Sequence, residues 1–131
     1  MQSVEDITSD LIGKPYKKGG LGPLFYDCFG LASKIRFRAG LGFPTHQLGD
    51  IRNTARFLQK QKLQAEKLLY PTSYCVVMFR MCGKFITHIG IVLPSLYKFI
   101  HIVEDKDVCI ERLDAVLWRN KIEGYYEFPT G

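Results

Sequence analysis

The feature that most limits what this chain can fold into is a loop punctuated by Gly13, Pro15, Gly19, Gly20, Gly22 and Pro23, which delivers Cys28 to the first turn of an apolar helix. Glycine and proline at that density read as a turn-rich approach, and Asp27 is a good N-cap type. Helix is therefore predicted over residues 28–39, with Gly40 as its stop. Leu31, Ala32, Ile35 and Ala39 recur at spacings of three and four, so one face is buried and Cys28 is held rigidly. Unpaired main-chain N–H groups and the positive end of the helix dipole favour thiolate at this place. They predict a thiol pKa below the ordinary value of about 8.5. Taken alone, Cys28 also reads as a small buried apolar filler, the commoner role of a free cysteine.

A nucleophilic cysteine needs a base, and the histidines are His46, His88 and His101. His46 follows Pro44 and Thr45 in loop-like sequence and reads as solvent-exposed. Residues 85–93 and 97–103 are rich in β-branched and aromatic side chains and flank the turn pair Pro94-Ser95, the pattern of an antiparallel hairpin. With Pro94 and Ser95 as the central turn residues, His88 lies directly across from His101 on one face, at a Cβ separation of about 4.5 to 5.5 Å. An odd loop would put the two on opposite faces. Two histidines paired in otherwise apolar sequence are costly to bury without a polar task, which suggests a base and the group that orients it.

In this order the residues resemble the NlpC superfamily of papain-like cysteine peptidases, over nearly the whole chain. Pro15 and Tyr16 with Gly19 and Gly20 are similar to the family's glycine loop, Asp27 and Cys28 with Gly30 and Leu31 to its nucleophile motif, and His88 to Ile91 to its base motif. His101 falls where the family keeps its third polar residue, and residues 108–112 where a strand closes the sheet. The resemblance implies a cysteine endopeptidase acting on peptidoglycan stem peptides without a cofactor. Cys28 attacks the amide carbonyl, His88 takes and later returns the proton, and His101 fixes the tautomer of His88. The Cys28 N–H would donate to the oxyanion. Tyr16 stands near the nucleophile, as a hydrogen-bond donor or as a tyrosine packing the loop onto the sheet. Asp27 stands there more as a cap than as an acid.

Two departures redirect the reading. Cell-wall members usually carry Ser after the nucleophile, where this chain has Phe29; an aromatic there resembles phage-tail-associated members, with tail-hub or tail-tip proteins as partners. Pro71, Thr72, Ser73 and Tyr74 replace the family's Pro-Gly-Asp turn, which leaves the substrate contacts open. The alternatives are a structural tail-hub or adaptor domain on the same scaffold, and a small-molecule amidase or acyltransferase.

The chain of 131 residues, 47% hydrophobic and 24% charged, suffices for one domain over 1–131. Helices are expected over 3–12, capped by Ser3, over 28–39, and over 51–61, capped by Asp50. Strands are expected over 74–80, 85–93, 97–103, 108–112 and 125–128. Helices first and an antiparallel meander afterwards make an α+β fold, the papain-like minimal core, with about five strands. The acidic opening around Glu5 and Asp6 is unlike a secretory leader, and no run is apolar enough to span a membrane, so cytoplasmic synthesis is expected, followed either by assembly into a virion or tail-like particle or by action as a cytoplasmic enzyme. Cys75, Cys82 and Cys109 lack disulfide spacing and read as reduced thiols; Cys75, Cys82, His88 and His101 match no common zinc spacing. The net charge of +5 places Lys14, Lys17 and Lys18 in the loop and Lys34, Arg36 and Arg38 on the helix. That balance suits approach to an acidic polymer or a solvated helix face, without the stacking aromatics of a nucleic-acid module.

Overall fold

The computed structural model of the chain describes residues 2–43, 60, 65–83 and 85–129, with the side chains of Cys82 and Phe85 left aside. His46, Asp50 and the helix expected over 51–61, save Lys60, lie outside the described residues. The first helix, α1 (Val4–Thr8), opens on Ser3: its hydroxyl accepts from the Asp6 N–H while the Asp6 carboxylate accepts from the Ser3 N–H. It ends sooner than expected, where the Thr8 hydroxyl donates back to the Val4 carbonyl and competes with further helical turns. Leu11 is nevertheless buried.

The second helix, α2 (Cys28–Arg38), matches its expected position to within a residue. Asp27 caps it through Oδ1, which accepts from the Gly30 N–H at 2.7 Å, and ties it to the glycine loop through Oδ2, which accepts from the Gly19 N–H at 3.0 Å. A Cβ on Gly30 would lie 2.0 Å from the Gly20 carbonyl oxygen, so only glycine lets the loop lie against the helix start.

Among the described residues six strands follow: β1 (Glu66–Leu68), β2 (Val76–Cys82), β3 (Phe85–Val92), β4 (Lys98–His101), β5 (Cys109–Arg112) and β6 (Ile122–Glu127), with a short helix α3 (Val116–Arg119) before the last. They form one antiparallel sheet in the order β1-β6-β2-β3-β4-β5. The meander from β2 to β5 is as predicted and the fold is α+β. β6 starts three residues earlier than expected and returns to flank β2, and β1 then pairs with β6. Three residues, two of them charged, are too short to show a strand period, which is why the sixth strand escapes a reading of the sequence.

Side chains alternate to opposite faces of the sheet, and both faces are covered. One face packs Val76, Met78, Ile89, Ile91 and Ile100 against Ile7, Leu11, Phe29, Leu31 and Ile35 of the helical layer. The other gathers Val77, Phe79, Val92, Phe99, Leu113 and Trp118. The basic helix stripe is corrected here. Arg36 is wholly buried, donating to the carbonyls of Gly42 and Tyr74 and to the Glu127 carboxylate, and Arg38 is engaged by Asp10 and by the Ile7 carbonyl. Two of the three helix cations therefore hold the helix to its surroundings. Among the described residues no helix is long and apolar enough to cross a membrane.

Candidate active site

Cys28 is the first residue of α2 and is only 7% exposed. The main-chain N–H groups of Ile89, Phe29 and Cys28 itself favour a charged sulfur. Burial outweighs them and the neighbouring Asp27 carboxylate adds to it, so the thiol is pushed up to about 12. The expected depression at the helix start is thus overturned: removing the sulfur from water costs its charged form more than the N–H groups return. At rest Cys28 is a neutral thiol, and ionising it would take a base.

Tyr16 and Asp27 come together with Cys28. Tyr16 is half-buried, packs on the core, and bridges to Tyr26 through the main chain. Burial first, then the charges at Cys28 and Asp27, push its hydroxyl up to about 12, so it stays protonated near the sulfur. Both carboxylate oxygens of Asp27 are taken by main-chain N–H groups, the behaviour of a cap. Phe29 is buried, its ring 5.6 Å from that of Phe43, and so belongs to the core.

The hairpin carrying the histidines differs in register from the expected one. Ile91 pairs with Ile100 and Val92 with Phe99, and the Leu93 N–H donates to the Lys98 carbonyl, leaving Pro94 to Tyr97 as a four-residue loop. Leu96 takes the left-handed conformation that closes it, with φ of 72°. The loop is centred one residue later than Pro94-Ser95, which slides the register by two. An even slide preserves the face, so His88 and His101 meet diagonally instead of head-on. Continuing the ladder puts Gly90 across from His101. A Cβ there would lie 3.3 Å from the Cβ of His101 and 2.9 Å from the ring of Phe99, so glycine keeps the diagonal open.

His88 Nε2 lies 2.9 Å from His101 Nδ1, and His101 Nε2 lies 2.6 Å from Glu111 Oε2. Glu111 was not singled out from the sequence. The signal for it is the alternation in β5: Cys109 pairs with His101, and Glu111, two residues on, shares that face. Burial opposes the Glu111 charge, but the hydrogen bond from His101 holds its carboxyl below the usual range. A carboxylate only accepts, so His101 carries its proton on Nε2. Burial lowers the pKa of His101 and, with His101 beside it, lowers that of His88 well below the usual value, so both rings are neutral at pH 7. His101 Nδ1 is then a lone pair accepting from His88 Nε2–H, and Nδ1 of His88 is left as a free base. The rings are clamped by aromatic neighbours, with His101 centred 4.7 Å from Trp118 and 4.5 Å from Phe99, and His88 5.5 Å from Phe79.

The two halves of the site meet at the main chain, where the N–H of Ile89, the residue after His88, acts on the Cys28 sulfur. Among the described residues no hydrogen bond joins that sulfur to the His88 ring, and His88 Nδ1 has no hydrogen-bond partner. His101, Cys109 and Glu111 form a group of metal-ligand types whose donor atoms all lie within 4.8 Å of one another. The side chain of Cys82, and with it the four-residue zinc set considered above, lies outside the described residues.

No protein-family model and no curated protein sequence matches this chain. Solved structures do. An NLP/P60-family protein from Staphylococcus aureus, described as similar to a lipoprotein, matches with a TM-score of 0.68 at 21% identity over 98% of this chain and 42% of its own. An NlpC/P60-family protein from Bacillus cereus matches with a TM-score of 0.67 at 17% identity, over 100% of this chain and 44% of its own. The NlpC/p60 domain of the peptidoglycan hydrolase SagA matches with a TM-score of 0.58 at 16% identity, over 93% of this chain and 96% of its own. The chain thus spans less than half of the first two proteins and nearly all of the isolated domain. Its fold is the NlpC/P60 fold.

Proposed function

We propose that this domain is a cysteine peptidase that hydrolyses amide bonds of peptidoglycan stem peptides through a thioester on Cys28. The observation that carries the reading is the line of hydrogen bonds from Glu111 through His101 to His88, a neutral imidazole whose next residue, Ile89, brings its main-chain N–H to bear on the Cys28 sulfur. As substrate binds, Cys28 Sγ and His88 Nδ1 close to hydrogen-bond distance, a tightening common on passing from the free enzyme to the Michaelis complex. His88 takes the thiol proton as sulfur adds to the carbonyl carbon. The Cys28 N–H and the protonated Tyr16 hydroxyl donate to the oxyanion. Collapse breaks the C–N bond, and the proton on His88 Nδ1 leaves with the amine. Water then attacks the thioester with His88 again as base, releasing the acid and restoring the thiol.

Because both partners start uncharged, this is general-base activation and not a resident ion pair. Phe29, similar to the aromatic of phage-tail-associated members, supports delivery by a tail-like particle. A second reading, an adaptor domain without turnover, is favoured by the burial of Cys28 and the raised pKa of its thiol. Purified stem-peptide fragments incubated with the wild type and with Cys28→Ala separate the two. Cleavage products that vanish in the variant support the peptidase; intact fragments with the wild type support the adaptor.

A further inference from the structure

We propose that His101, Cys109 and Glu111 form a binding site for a zinc-type divalent ion, and that the ion switches the peptidase off by reversing the proton order of the histidine pair. The inference rests on the relay described above, and its test separates the two. His101 and Cys109 are direct partners across β4 and β5, and Glu111 is on the same face one ladder step away. The Cys109 sulfur lies 3.8 Å from both His101 Nε2 and Glu111 Oε2, and Nε2 and Oε2 are 2.6 Å apart. Tetrahedral zinc with bonds of about 2.0 to 2.3 Å holds its ligand atoms roughly 3.3 to 3.7 Å apart. The sulfur separations already fit. Nε2 and Oε2 must open by somewhat under about 1 Å, a rotation open to Glu111, whose side chain is 34% exposed. Imidazole, thiolate and carboxylate together suit zinc and exclude magnesium and calcium as preferred ions. Cys109 and Glu111 are partly exposed on an edge strand, so an ion can reach them, and the fourth position is left to water.

The coupling follows from hydrogen-bond chemistry. A metal on His101 Nε2 takes the lone pair that must replace the Nε2 proton, and it takes Glu111 as well. His101 then carries its proton on Nδ1 and donates to His88 Nε2, which becomes the acceptor. His88 remains neutral only by carrying its proton on Nδ1, the nitrogen that must receive the Cys28 proton. Counting protons, the His101 Nε2 proton leaves to solvent, the His88 Nε2 proton passes to His101 Nδ1, and His88 Nδ1 gains one from solvent. The net release is the single proton of the Cys109 thiol.

The test is nitrogen NMR of the protein labelled with 15N-histidine, titrated with Zn²⁺ and, separately, with Mg²⁺. In the metal-free protein, His88 protonated at Nε2 supports the relay itself; protonation at Nδ1 contradicts the relay whatever zinc does. On adding Zn²⁺, the expected result is uptake at His101 Nε2 with transfer of the His88 proton to Nδ1, and no response to Mg²⁺. Cys109→Ala and Glu111→Gln should each weaken zinc uptake by about tenfold or more. Zinc that binds equally well in both variants, that is lost in Cys28→Ala, or that leaves His88 protonated at Nε2 would overturn the proposal, as would absence of uptake in the wild type.

Discussion

At the residue scale the account stands on four side chains in series, Cys28, His88, His101 and Glu111. Cys28→Ala should lower turnover by about a thousandfold or more, while the urea midpoint moves little, because the change removes one atom and no hydrogen bond to a side chain. Glu111→Gln keeps an acceptor opposite His101 but loses the charge that fixes its tautomer, so kcat should fall by about tenfold with KM unchanged. His88 must be neutral to act. Its pKa is held well below the ordinary value by burial and by His101, so the acid limb of kcat/KM should lie below about pH 6.5. A limb at or above that value would mean that another group is titrating. Cys28, Asp27, His88 and His101 stand out as candidates in the sequence because each sits in a short local pattern: loop then helix, or a polar residue in an apolar strand. Glu111 becomes visible only when the strand register is known. The sign of the Cys28 shift was misread because helix position is a property of the sequence, whereas burial is a property of the packed molecule.

At the scale of the elements, two glycines set the site. Gly30 lets the loop carbonyl of Gly20 come against α2, and Gly30→Ala places a methyl 2.0 Å from that oxygen. The clash is with main chain, so the loop must move, and a loss of about 3 kcal/mol or more is expected in chemical denaturation. Gly90→Ala intrudes on Phe99 and His101 and should depress turnover more than stability, through displacement of the imidazole. The hairpin shows where sequence reasoning is strong and where it is fragile. Strand identity followed from β-branched and aromatic content, and the shared face of the histidines survived because the register slid by an even number. The loop itself was misplaced. A turn pair marks where the chain reverses, but the closing bond from Leu93 to Lys98 is set by Leu96 entering the left-handed region, which leucine rarely does.

At the scale of the whole molecule, a buried cation ties the sheet to the helical layer. Arg36 holds Gly42, Tyr74 and Glu127 at once, so Arg36→Met leaves several acceptors unpaired and should cost about 3 to 5 kcal/mol in the same assay. This buried role was not legible, since Arg36 in sequence looks like one more cation on a helix. Stability should also depend on pH with a definite sign. His88 and His101 are neutral and buried with lowered pKa values, so the unfolded chain binds protons before the folded one does as pH falls. Their contribution is complete above the unfolded value of about 6.5 and is lost as pH drops from there towards the folded values. A thermal midpoint that falls below about pH 6.5 in the wild type, and falls less steeply in His88→Gln, is the expected result.

The central claim is that Cys28 becomes acylated with His88 as its base. Acid-quenched mass spectrometry of the Cys28 peptide, after brief incubation with stem-peptide fragments, tests it most directly. The account predicts an acyl adduct on Cys28 in the wild type that is absent from His88→Ala. Fragments cleaved without acylation of Cys28, or an adduct that forms equally well without His88, would contradict it.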